Sequence, residues 1–188
     1  TAILKDIAQL YQAFSHDQPT TVAPLALQWT DYLALSNTDE AKTAQNRAKK
    51  YWMDMYESGL PRFELPADHA RPPVKKYSGS RVDLRLDPAI QKRLHALASS
   101  SGLSPESILF AAFTTYIHRL SDLNDVVFGV ESDSLYLDDS TPAIANTRNM
   151  LAVRSAYDPS RSFMEHIHAA SNGIEQANLH RHLSLYEL

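Results

Sequence analysis

The chain has 188 residues, a formal net charge of −4 and no cysteine. Its length suits one large domain or parts of two, with a sizeable core, and its mild acidity leaves no electrostatic footprint for nucleic acid. Without cysteine there are no disulfides, no iron–sulfur ligation and no thiol catalysis, and the composition fits a reducing compartment. No apolar run reaches the roughly 20 residues of a membrane span, so no membrane partner is expected.

In chain order, Ile3, Leu4, Ile7, Leu10, Tyr11 and Phe14 form one apolar stripe and predict a helix over residues 1–14. No segment precedes that stripe to cover it, so its partner is expected outside the sequence. Residues 15–24 are polar with two prolines, Pro19 and Pro24, and read as a loop. A short helix over 25–35, packed by Trp29 and Tyr32, and a long helix over 39–57 follow, the latter with Tyr51, Trp52 and Met55 near its end. Gly59 is the expected terminator.

Pro61, Pro66, Pro72 and Pro73 keep the next stretch extended, so it is read as the linker between two lobes. Val82, Leu84 and Leu86 alternate with Arg81, Asp83 and Arg85, predicting a half-exposed strand over 80–86. Asp87-Pro88 opens a helix that Gly102 closes, and Ile90, Leu94, Leu97 and Ala98 are its expected inner face.

The most strongly patterned stretch follows. Ser104-Pro105-Glu106 is a helix start, and Ile108, Leu109, Ala112, Phe113, Tyr116, Ile117 and Leu120 keep the spacing of one face. The pattern predicts a nearly enclosed helix with Phe113 and Ile117 at the centre of the core. A buried strand is expected from Asp125 to near Gly129, then a long acidic loop over 131–149 and a strand at 150–153. Asp158–Ser162 enters a last helix carrying Phe163, Ile167, Ala170, Ile174 and Ala177.

Tests for chemistry return little. His166 and His168 stand two apart on a predicted helix and so on different faces, and no third ligand accompanies His180 and His182, so no metal site is expected. There is no nucleophile elbow, Walker loop or dinucleotide fingerprint. Asp133, Asp138 and Asp139 read as solvated charges of the acidic loop. The residues alone specify an α/β protein without an evident active centre.

The order of several segments resembles the condensation domains of nonribosomal peptide synthetases. Leu27–Leu33 (LQWTDYL) is similar to the family's Gln-aromatic-x-Asp-Tyr segment, and Tyr51-Trp52 to its Tyr-Trp pair. Glu64–Pro72 (ELPADHARP) resembles its Leu-Pro-x-Asp-x-x-Arg-Pro crossover between lobes. Asp125–Gly129 (DVVFG), Asn149–Arg154 (NMLAVR) and His180–Leu188 resemble second-lobe segments in the same order. Two stretches depart: Glu131–Ser134 replaces a glycine-and-arginine run, and Ser184-Leu185 replaces a Pro-Phe pair.

The resemblance implies a chloramphenicol-acetyltransferase-like fold, incomplete and mostly the C-terminal lobe. Residues 1–60 are the expected helical connection from the first lobe, 61–78 the inter-lobe crossover, and 79–188 part of the C-terminal lobe. The implied parent reaction is amide formation between carrier-bound aminoacyl or peptidyl thioesters. Its His-His-x-x-x-Asp-Gly motif, which supplies a general-base histidine, does not occur here and is expected just before Thr1. No cofactor is expected to bind directly, because phosphopantetheine is carried by partner carrier domains. The implied partners are peptidyl carrier domains, an adjacent adenylation domain and an N-terminal lobe, all cytoplasmic. Asn149 is expected to shape the substrate tunnel, and Asp125 to set the strand start. Ser107 is either a group on the pantetheine path or a first-turn hydroxyl. The alternatives are a noncatalytic condensation-like platform and a coenzyme A-dependent acyltransferase of the same fold.

Overall fold

The computed structural model describes residues 2–19, 22, 24, 27–70, 72–77, 79–132 and 148–184. In chain order the elements are α1 (Ala2–Ser15), α2 (Trp29–Ser36), α3 (Asp39–Met55), α4 (Pro88–Ser101), α5 (Pro105–Ser121), β1 (Asp125–Ser132), β2 (Asn149–Ala156) and α6 (Phe163–Leu179). They divide between two compact units, residues 1–57, 131–151 and 180–188 in the first, and 58–130 and 152–179 in the second. β1 and β2 form a two-stranded sheet. Asn124 and Asp125 meet Tyr157 and Arg154, while Glu131 meets Arg148, so the strands run antiparallel.

Local chemistry sets the helix ends. The Thr38 hydroxyl accepts the Ala41 N–H at 3.2 Å to start α3, and Asp87 accepts the Ala89 N–H at 2.7 Å to start α4. Ser104 accepts the Ser107 N–H at 3.1 Å ahead of α5, and Gly102 closes α4 at φ +69°. Ser162 and Glu165 cap α6 reciprocally, the Ser162 N–H donating to the carboxylate at 2.7 Å. Gly59, at φ +90°, turns the chain three residues beyond the α3 cap at Tyr56 rather than ending the helix itself.

In the first unit, Tyr32, Ala41, Ala48, Trp52, Leu151 and Leu183 are buried. Trp29 lies outside that core and stacks on Tyr32 with centroids 5.1 Å apart. Most of the α1 stripe finds no cover among the described residues: Leu4, Tyr11 and Phe14 are 72%, 73% and 70% exposed, while Leu10 is half-buried.

The second unit corrects the expectation for its central helix. Phe113 is 53% exposed, and Leu109, Tyr116 and Leu120 share its outward face. The buried stripe of α5 is Ser107, Ile108, Ala111, Thr114, Ile117 and His118. Small side chains on this stripe let α6 come close, and Ile167 of α6, fully buried, packs with Ala98, Ile108 and Ala111. A second cluster joins Ile117 to Val126 and Phe128 of β1. Close approach recurs at Gly173, where an added Cβ would stand 3.4 Å from Val153 of β2.

The expected strand over 80–86 does not form. Val82 and Leu84 are 85% and 86% exposed, and no ladder includes this segment among the described residues. Alternation supplies one apolar face, and a strand needs a hydrogen-bonded neighbour as well. β1 and β2 each run about three residues further than expected, and most of the acidic loop, 133–147, lies outside the described residues.

Ile167→Ala is expected to cost about 2–5 kcal/mol because it opens a cavity at a fully buried site. Phe113→Ala is expected to cost no more than about 1.5 kcal/mol, since half the ring already meets water. Denaturant midpoints of the two variants measure the difference directly.

Candidate functional site

Each unit holds a set of engaged polar side chains on its own part of β2, and local sequence explains the place of each. Asn149 opens the strand in the first unit and is 9% exposed. Its amide nitrogen donates to the carbonyls of Arg181 at 3.0 Å and Leu183 at 2.9 Å, while its Oδ1 accepts the Met150 N–H at 2.9 Å. Both amide hydrogens and the oxygen are thus engaged, and the residue pins the segment after α6 to the start of β2. The same segment is held from α3: the Trp52 indole donates to the His180 carbonyl at 2.9 Å, and Tyr51 stacks on the His180 ring at 3.8 Å. Burial raises the Tyr51 hydroxyl above its ordinary pKa.

Further along β2, in the second unit, Arg154 grips Asp125 at the start of β1. Its Nε lies 3.0 Å from Oδ1, its Nη2 lies 2.6 Å from Oδ2, and its Nη1 also reaches the Ser58 hydroxyl at 3.4 Å. The guanidinium holds the Asp125 carboxyl below its usual range, against the opposing effect of partial burial.

The imidazole of His118 is buried between α5 and β2. Its Nδ1 lies 2.6 Å from the Leu123 carbonyl, which can only accept, so Nδ1 carries a proton and Nε2 faces the Ser155 hydroxyl at 3.1 Å. The edge of Phe128 and the face of Tyr157 enclose the ring, and Tyr157 in turn stacks on His166. The spacing is that of a base and a nucleophile, yet the imidazole is 3% exposed and packed by aromatic rings. His118 therefore serves as a polar joint of the core.

Ser107 is buried in the first turn of α5, its hydroxyl 3.0 Å from that of Ser104. The structure places Asn149 and Ser107 in different units. Among the described residues no group of His, Asp and Glu converges to hold a metal ion, and no helix is long and apolar enough to cross a membrane. Sequence reading missed His118, Ser155 and the Tyr51–His180 stack. For His118 a signal existed, since it stands one residue after Ile117 and one helical turn beyond Thr114, along the buried stripe.

Comparisons with known proteins bear on both family and fold. The family described as Condensation domain matches residues 1–188. A plipastatin synthase of Bacillus subtilis (strain 168) is 30% identical over 164 residues, covering 87% of this chain and 5% of the relative. The chain thus spans a small part of the curated relatives it matches. The first condensation domain of the CDA synthetase superposes with a TM-score of 0.76 at 22% identity, covering 96% of this chain and 40% of that one. The X-domain of teicoplanin biosynthesis, solved in complex with OxyB, gives a TM-score of 0.77 at 24% identity, covering 97% and 41%. The fold is accordingly that of condensation domains, the chloramphenicol-acetyltransferase-like fold.

Two outcomes test these geometries. A depressed carboxyl pKa contributes stability that is present above the unfolded value, about 3.9, and lost as pH falls through the folded value. Asp125→Asn should therefore flatten the loss of stability on acidification below about pH 4, measured by urea unfolding at stepped pH. Asn149→Ala leaves two carbonyls without their donor and should cost about 1–3 kcal/mol. Faster amide exchange confined to residues 180–184 and the start of β2 would locate the loss.

Proposed function

Because this chain belongs to the condensation-domain family, we propose that it forms part of a nonribosomal peptide synthetase condensation domain. The reaction is amide formation between two substrates held as thioesters. The acceptor amine attacks the donor carbonyl, the C–N bond forms, the C–S bond breaks, and the donor thiol leaves with the proton that the amine gives up. Phosphopantetheine arms on partner carrier domains hold both substrates, and an adenylation domain of the same cytoplasmic assembly supplies them. The family match over the full 188 residues is the observation that carries this reading.

Within that domain, residues 1–60 connect from the first lobe, 61–78 cross between lobes, and 79–188 build part of the C-terminal lobe. Asn149 bounds the substrate tunnel of the whole domain by fixing the course of residues 181–183, which its side chain holds at 2.9–3.0 Å. Ser107 stands at the first turn of α5, where the pantetheine path meets this lobe. General-base chemistry belongs to a histidine of the His-His-x-x-x-Asp-Gly motif, which does not occur in this sequence.

Single-turnover assays with loaded donor and acceptor carriers decide the matter. The 188-residue chain alone is expected to give no amide above the enzyme-free rate, whereas the full-length protein that carries it gives product. Product from the chain alone would put the base among its own histidines. No product from the full-length protein would leave a noncatalytic platform.

A further inference from the structure

We draw no further inference here: the strongest candidate, the outward apolar face of α5 formed by Leu109, Phe113, Tyr116 and Leu120, carries nothing, because nothing in the structure shows what covers it.

Discussion

The close contact between α5 and α6 is the constraint on which the second unit depends. Two helices approach closely where small side chains face each other, and α5 offers Ser107, Ala111 and Thr114 on its buried stripe. Ile167 fills the space this leaves, and Gly173 lets the same helix lie against Val153 of β2. Once α6 is seated, the α5 face carrying Leu109, Phe113, Tyr116 and Leu120 is turned outward, whatever its hydrophobicity. Large apolar residues drive burial by area. Helix separation is set by the small ones, and here separation governs which face is inside.

β2 distributes the polar interactions. At one end Asn149 satisfies two backbone carbonyls of the segment after α6. Further on, Arg154 clamps Asp125 and reaches Ser58. Between strand and helix, His118 spends both ring nitrogens on Leu123 and Ser155. Apart from the exposed Arg154–Ser58 contact, each is buried or partly buried, where leaving a polar group unmatched costs more than in water. Among the described residues β2 has one strand neighbour, β1.

The exposed surfaces differ in kind. The outward faces of α1 and α5 are apolar, whereas the stretch running into α4 is basic in an otherwise acidic chain. Apolar area suits lasting contact because its release is slow, and charge suits contact that must be made and broken repeatedly.

Local pattern by itself determined the helices and their caps. Thr38, Asp87, Ser104 and the Ser162–Glu165 pair act within one turn, so their hydrogen bonds need no distant partner. The order of short segments also sufficed to place the chain in its family, since motif order survives without any coordinates. Tertiary structure decided the rest. It chose Ala111 and Thr114 over Phe113 for the inner face of α5, because packing distance is a property of two helices together. It left residues 80–86 outside any ladder among the described residues, because a strand exists only with a neighbour. It made His118 a buried joint and gave Asn149 its two carbonyls, because both contacts join residues more than 30 positions apart. Composition carries no record of such distances until the chain has folded.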